Sequence, residues 1–419
     1  MKKIEIKIED YSATGSGVGR VEDLVYFVDK TVVGDKILAE IIKKKKNYAI
    51  AKKIDIIEKS PLRIKSDCKY FEQCGGCSFR NISYNDSLEF KKNYAKDILK
   101  KFADIKNLNI EIEGMYEPYY YRNHVQLKIK DKKIGYFNKQ SNNIIDIDDC
   151  LIAPRNTREF IKVLKKYPNG FIEIGIRENN LGEYMIILVG KDEPKNLNTI
   201  SQKLLEIGAK SIYFSKRRKN GHRYSDEITF LAGEKNFYDS FCDIKVKVSP
   251  KSFLQTNRIQ AEKIYNQAIN FLELKNIDTF TDIYCGMGIM TLMGAKLCKK
   301  GAGIESSKSA IADANFNKAL NAIENVKFYA QKAEIYLERN KIDSKKIILD
   351  PPRKGCDKLV LDRIIDSNCE KLAYISCNVA TLARDLKILK SSFEIKNLKL
   401  YDMFPFTAHT ECIALLERK

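Results

Sequence analysis

No apolar run in this chain of 419 residues is long enough to cross a bilayer, so a helical membrane protein is excluded. Met1-Lys2-Lys3 leads straight into alternating isoleucine and charge, without the apolar segment a secretory leader needs. Internal repeats and low-complexity tracts are also missing, which excludes solenoids and disordered scaffolds. Negative charge is in short supply. There are 55 Asp+Glu against 74 Lys+Arg, a formal +19, and an excess of that size points to a polyanion partner, most often nucleic acid. An AT-rich genome, which inflates Lys, Ile and Asn together, is the plain alternative. The expected location is cytoplasmic, with no membrane and no obligate protein partner. Eleven cysteines in a cytosolic chain then read as metal sites, nucleophiles or core packing rather than disulfides.

The stretch Ile347–Asn378 carries the most information. Ile347-Ile348-Leu349 and Leu372-Ala373-Tyr374-Ile375 read as buried strands of a parallel sheet, since neither alternates with polar residues. The first ends in Asp350-Pro351-Pro352-Arg353-Lys354-Gly355 and the second in Ser376-Cys377-Asn378. Ligands of open α/β sheets sit beyond the carboxyl ends of the strands. A carboxylate and a thiol on neighbouring tips therefore suggest a covalent enzyme.

Three regions are expected. Residues 1–58 alternate apolar and charged residues (Ile4, Ile6, Ile8), with a turn at Gly15, Gly17 and Gly19 and further strands over Val25–Val28, Val32-Val33 and Ile37–Ile42; this suggests an OB-like β-barrel. Residues 59–247 hold a cysteine-bearing loop over 59–90. They continue as an antiparallel α+β region in which Val125, Leu127 and Ile129 precede the Asp131-Lys132-Lys133 turn, and Ile172, Ile174 and Ile176 precede Asn179-Asn180 and a return over Met185–Val189. In residues 248–419 strand and helix signals alternate from an amphipathic helix near Asn257, as in a Rossmann-like α/β domain. The basic runs Lys43–Lys46 and Lys216–Lys219 are candidate phosphate contacts. Tyr119, Tyr120, Tyr121, Arg122 and Phe137 are candidate stacking or phosphate groups, with a packed aromatic cluster as the alternative.

Thr279–Gly288 reads as strand, glycine turn and helix, and the next strand ends in Glu305, where an acid can take both ribose hydroxyls of a nucleoside cofactor. Thr291 stands where a dinucleotide fold has its third glycine, and the Walker lysine is missing. A cofactor without phosphates, S-adenosylmethionine, fits better.

Phe253-Leu254-Gln255-Thr256-Asn257, Asp282–Gly288, Asp350–Gly355, Ser376-Cys377-Asn378 and Phe404-Pro405-x-Thr407-x-His409-x-Glu411, in that order, resemble the RNA 5-methyluridine methyltransferase family. The N-terminal β module resembles the TRAM domain of its ribosomal RNA branch. The resemblance implies that Gln255, Tyr284, Glu305 and Asp350 contact S-adenosylmethionine, that Cys377 is the nucleophile and Glu411 the base, and that Cys68, Cys74, Cys77 and Cys150 ligate a four-iron–four-sulfur cluster. It implies 23S ribosomal RNA as substrate. Transfer RNA methylation and a non-catalytic iron–sulfur RNA-binding protein are the alternatives; the barrel and cysteine cluster favour the ribosomal branch. Ile289 departs from members with Asn there, and Tyr284 replaces a Phe.

The chemistry explains the residue types. Uracil C5 becomes nucleophilic only when a thiolate adds at C6, and a base must then take the C5 proton so that the thiol can leave. A local cation would lower the thiol's pKa, though the sequence selects none. His409 reads as a positioning or core residue. Cys242, Cys285, Cys298, Cys356, Cys369 and Cys412 read as buried packing. Read from spacing alone, Cys68-x5-Cys74-x2-Cys77 with Cys150 suits a four-iron cluster or structural zinc; a single C-x2-C pair leans away from a zinc ribbon.

Overall fold

The structure is a computed structural model and describes residues 3–106, 109–139, 141, 143–167, 169–217, 224–225 and 227–419. Met1 and Lys2, like Arg218 and Lys219 of the second basic run, lie outside the described residues. Strands β1 (Lys3–Lys7), β2 (Asp10–Tyr11), β3 (Gly17–Val21), β4 (Leu24–Val28), β5 (Lys36–Lys44) and β6 (Tyr48–Glu58) form one sheet in the order β1-β5-β6-β4-β3-β2. Period-two alternation turns Ile6, Ile8, Tyr26, Val28, Ile37, Ala39, Ala49 and Ala51 into a small core. Two expectations change here. Gly17 and Gly19 belong to strand β3 rather than to the turn, and a Cβ on Gly19 would stand 2.2 Å from the Lys7 carbonyl oxygen: these glycines let two strands cross closely. Val32 and Val33 lie in the β4–β5 connection, not in a strand.

Helix α1 (Tyr84–Ala103) and the short β7 (Glu111–Glu113) follow, neither anticipated. Next come β8 (His124–Lys130), β9 (Lys133–Phe137), β10 (Ile144–Asp146), α2 (Thr157–Lys165), β11 (Phe171–Glu178), β12 (Tyr184–Gly190), α3 (Leu197–Glu206), β13 (Ala209–Lys216) and β14 (Ile228–Gly233). Their seven strands run β10-β9-β8-β11-β12-β13-β14. Asp131 and Lys132, both at positive φ, make the two-residue turn of β8–β9, so Lys133 already starts the return strand. The sheet is mixed, not wholly antiparallel: β12 and β13 are parallel because α3 crosses between them.

A hairpin, β15 (Phe237–Phe241) and β16 (Ile244–Val248), leads to α4 (Arg258–Leu272), capped by the Asn257 side chain, which accepts the Gln260 N–H. The remaining elements are β17 (Thr279–Ile283), α5 (Ile289–Ala295), β18 (Lys300–Glu305), α6 (Lys308–Leu320), β19 (Val326–Ala330), α7 (Ala333–Arg339), β20 (Lys346–Leu349), α8 (Lys358–Ile365), β21 (Lys371–Ser376), α9 (Val379–Leu389), β22 (Phe393–Tyr401) and β23 (Glu411–Arg418). They build a sheet ordered β19-β18-β17-β20-β21-β23-β22-β7. Each central strand feeds two cores. Ile348, Ala373, Ile375, Ile413 and Leu415 point to the face of α4, α5 and the β15–β16 hairpin. Ile347, Leu349, Leu372, Tyr374, Ala414 and Leu416 point to the face of α8 and α9. Burial on both faces is why these runs show no polar alternation. Although they precede residue 248, α1 and β7 dock here: Ala95, Leu99 and Ala103 share the core with α9, and β7 pairs parallel with β22.

Candidate active site

The chain leaves β17 for β18 on one side, and β20 occupies the other, so a crevice opens at the strands' carboxyl ends. Tyr284 follows β17, Glu305 ends β18, Asp350 follows β20 and Cys377 follows β21. Strand β23 runs antiparallel to β21, so its first residue, Glu411, arrives at the same edge. Gln255 comes from the loop between β16 and α4. All six line one cavity of about 1020 Å³.

At one end the chain turns sharply. Tyr284, Gly286 and Gly288 all have positive φ, and a Cβ on Gly288 would meet the Phe328 ring at 2.7 Å. A tyrosine at φ 69° is strained, and such strain concentrates at ligand sites. Its N–H is held by the Ile304 carbonyl at 2.8 Å. Glu305 bridges this turn to its own, accepting the Gly286 N–H at 3.3 Å and the Ser307 N–H at 2.7 Å. A carboxylate at the second strand tip, an aromatic ring and a glycine turn, in a cavity of this size, fit a nucleoside cofactor. Ile289, the first residue of α5, lines the same cavity with an apolar side chain. Beneath the turn, Asp282 is fully buried; one oxygen accepts the Thr291 hydroxyl at 2.6 Å, and burial pushes its pKa up to about 7.

The other end gathers the reactive groups. Glu411 is 3% exposed, and burial, with Asp350 nearby, raises its pKa well above the usual carboxylate range. Burial also takes Asp350 to about 7, helped by the charge of Asp282. The Cys377 thiol is pushed up to about 11, first by burial and then by Glu411 and Asp350. The sequence selects no cation for this thiol; the structure puts Arg353 there, which pulls the other way without prevailing, so the resting sulfur is a thiol. The Arg353 guanidinium lies 3.1 Å from His409 Nδ1, and its carbonyl accepts the Asn378 amide at 3.2 Å. Asn378 also caps α9, which fixes the residue beside Cys377. Burial and the surrounding cations Arg353, Lys91 and Arg122 lower the His409 pKa, so the ring is neutral. Tyr265, on the buried face of α4, also lines the cavity; its apolar neighbours Ile264 and Ala268 gave no signal for it.

The roof comes from the N-terminal half. Thr14, Gly75, Gly76, Ser78, Arg122 and Lys139 line the same cavity. The Phe406 carbonyl accepts both the Ser78 N–H at 2.8 Å and the Phe79 N–H at 3.0 Å, tying the cysteine loop to the loop that precedes Glu411. Of the aromatic candidates, Tyr121 is buried and donates to the Pro405 carbonyl, and Tyr119 packs on Phe406. These two are packing residues rather than open stacking platforms. Tyr120 carries the Arg155 guanidinium at 4.6 Å, and Phe137 is exposed.

Cys68, Cys74, Cys77 and Cys150 line a second, small cavity of about 60 Å³, which shares Gly76 and Arg122 with the first. The Gly76 N–H donates to Cys74 Sγ at 3.3 Å and the Tyr136 hydroxyl to Cys150 Sγ at 3.8 Å. Lys30 Nζ donates to the Cys74 and Cys77 carbonyls at 2.9 and 2.6 Å. Among the described residues, no three His, Cys, Asp or Glu side chains are gathered so as to hold a metal ion. Of the cysteines read as packing, Cys285, Cys298, Cys356, Cys369 and Cys412 are buried, whereas Cys242 is only half-buried.

A family model described as tRNA (Uracil-5-)-methyltransferase matches residues 229–419, and a TRAM domain model matches residues 2–54. A Clostridium acetobutylicum protein named as an uncharacterized RNA methyltransferase is 36% identical, over 99% of this chain and 96% of its own. A Halalkalibacterium halodurans protein of the same description is 33% identical, over 99% and 97%. Among solved structures, the Pyrococcus abyssi tRNA (uracil-54, C5)-methyltransferase in complex with S-adenosyl-L-homocysteine is similar over 99% of this chain and 100% of its own, at 25% identity and a TM-score of 0.80.

Proposed function

Since the chain belongs to the TRAM-bearing RNA uracil-5 methyltransferases, enzymes that depend on S-adenosylmethionine, we propose that it methylates C5 of a specific uridine in 23S ribosomal RNA through a covalent bond between Cys377 and C6. One observation carries this reading: a single cavity is lined by a thiol, a buried acid and an adenosyl-type strand tip. S-adenosylmethionine, when bound, supplies an electrophilic methyl group. Gln255, Tyr284, Glu305 and Asp350 are the residues to hold it. Cys377 reacts as the thiolate, its proton released to solvent: Sγ adds to C6 of the uracil, and the C5=C6 electron pair moves to C5, which becomes the nucleophile. After methylation Glu411 takes the C5 proton, the electrons of the C5–H bond restore C5=C6, and the C6–S bond breaks. Burial and the neighbouring Asp350 raise the Glu411 pKa well above the usual carboxylate range, and a more basic carboxylate suits removal of a weakly acidic carbon proton. Arg353 and the neutral His409 form a polar wall beside Cys377.

The substrate must present an unstacked base. The barrel loop at Thr14, the cysteine loop and Lys139 are the groups we assign to holding the RNA there. In this reading residues 1–58 and 59–247 bind RNA and 248–419 carry the chemistry, in the cytoplasm. We also propose that Cys68, Cys74, Cys77 and Cys150 ligate a four-iron–four-sulfur cluster. Four thiols on one cavity, with N–H and O–H donors to two of the sulfurs, support it. The single C-x2-C pair, Cys74-x2-Cys77, leans away from a zinc ribbon, which usually has two. Its role here is to brace the loop that roofs the active site.

Transfer RNA as substrate is favoured by one specific observation: the Pyrococcus abyssi relative spans 99% of this chain, so a barrel does not by itself mark the ribosomal branch. Methyl transfer to unmodified 23S ribosomal RNA and to unmodified transfer RNA, assayed side by side, decides between them. Cys377→Ala should abolish turnover and Glu411→Gln should accumulate an SDS-resistant protein–RNA adduct. Full activity of the cysteine variant would overturn the covalent reading.

A further inference from the structure

The loop from Met403 to Thr410 separates β22 from Glu411, and its entry is held by groups far away in sequence. Asp402, the residue before it, has no exposed surface, and neither does the Lys91 ammonium that pairs with it. The second carboxylate oxygen accepts the Tyr84 hydroxyl at 2.7 Å, and that hydroxyl in turn accepts the Met115 N–H at 2.9 Å. Lys91 Nζ also donates to the Phe404 carbonyl at 3.2 Å. The Asp402 N–H donates to the Glu113 carbonyl at 2.9 Å, and the Asn257 amide donates to the Met403 carbonyl at 3.1 Å. Residues 402, 403 and 404 are thus all fastened: Lys91 holds the first and the last, and Asn257 holds the one between.

Stability alone does not call for this arrangement. Tyr84 and Lys91 lie two turns apart on α1, and the same face continues as Ala95, Leu99 and Ala103, which already seat the helix on an apolar core. A buried ion pair is often matched or bettered in stability by an apolar pair of the same volume, because both ions must shed water. What it supplies is direction: a charged pair has one good geometry, whereas apolar side chains have several.

We propose that Lys91 and Asp402, with Tyr84, are positioning residues that clamp the entry of the 403–410 loop and so set where His409 and Glu411 stand in the active site. The Lys91 charge also reaches His409, helping to keep that ring neutral. The proposal rests on Glu411 acting as the base, and the test separates the two ideas.

The double variant Lys91→Met/Asp402→Asn removes both charges, so no lone ion is left buried. It should melt within a few degrees of the parent, keep its KM for S-adenosylmethionine, lose about tenfold in kcat and show about tenfold faster amide exchange across 403–410. Tyr84→Phe, which leaves the ion pair intact, is the milder companion should the double variant not fold; it should lower kcat about threefold at unchanged KM. Parental kcat and exchange in whichever variant folds would overturn the clamp. Faster exchange at parental kcat would keep the loop clamp and overturn its link to chemistry. Glu411→Gln is run alongside: parental turnover there would remove the base assignment, while the exchange data would still decide whether the loop is clamped.

Discussion

The resting thiol of Cys377 should be a poor nucleophile until a ligand arrives, and alkylation kinetics can show it. An ordinary cysteine at 9.0 and one at about 11 differ about 100-fold in thiolate at neutral pH, and solvent access to this half-buried sulfur trims that to some tens. The causes predict what relieves it. Burial comes first and persists in any side-chain variant; Glu411 comes next, then Asp350. Removing the Glu411 charge by Glu411→Gln should therefore bring the thiol part of the way down. The assay is iodoacetamide labelling of the ligand-free protein from pH 6.5 to pH 9.5, with the Cys377 peptide quantified by mass spectrometry. In the parent, the rate should climb about tenfold per pH unit without a plateau, because the pKa lies above the whole range. In Glu411→Gln it should be several-fold faster at pH 8. A parental plateau near pH 8.5, or identical rates in the two proteins, would refute the electrostatic coupling between Cys377 and Glu411.

Asp282 should make stability fall as pH rises. Its folded pKa of about 7 exceeds the usual 3.8, so the native state holds a proton that the unfolded state has released between about pH 4 and pH 7. Asp282→Asn should then gain stability at pH 8, by about 4 kcal/mol at most, and flatten the slope of urea-derived stability between pH 5 and pH 8; parallel slopes would contradict this. Gly288→Ala places a Cβ against Phe328 at φ 83°, and should weaken S-adenosylmethionine binding about tenfold or more by calorimetry. Cys74→Ser should lose iron relative to the parent after anaerobic purification; an iron-free, zinc-loaded parent would instead sink the cluster.

The strand tips are legible in the sequence because buried parallel strands are continuous apolar runs and each ends abruptly in a polar or glycine residue. Glu305, Asp350 and Cys377 are found in that way, and Gln255, Tyr284 and Glu411 through the family motifs they belong to. Helix α1 is not legible: its inward face begins with Ser87 and Lys91, so the apolar periodicity starts only at Ala95. Strand β7, three residues long, is too short for any pattern. The parallel β12–β13 pair hides because α3 has the length of an ordinary connection. The sign of the Cys377 shift is hidden for another reason: Arg353 is close in sequence, but the two carboxylates and the burial that outweigh it are assembled only in space.

That α1 and β7 complete the C-terminal sheet has a consequence for how the protein is made. These two segments leave the ribosome early and then wait, with Leu99 and Ala103 uncovered, until α9 and β22 follow. Contacts spanning so much of the chain close slowly, and the waiting surfaces invite aggregation. A fragment beginning at residue 248 would lack its outermost strand and leave one flank of α9 wet. The half that carries Cys377 and Glu411 should therefore fold poorly on its own, and chaperone demand should be highest in the interval before the last strand emerges.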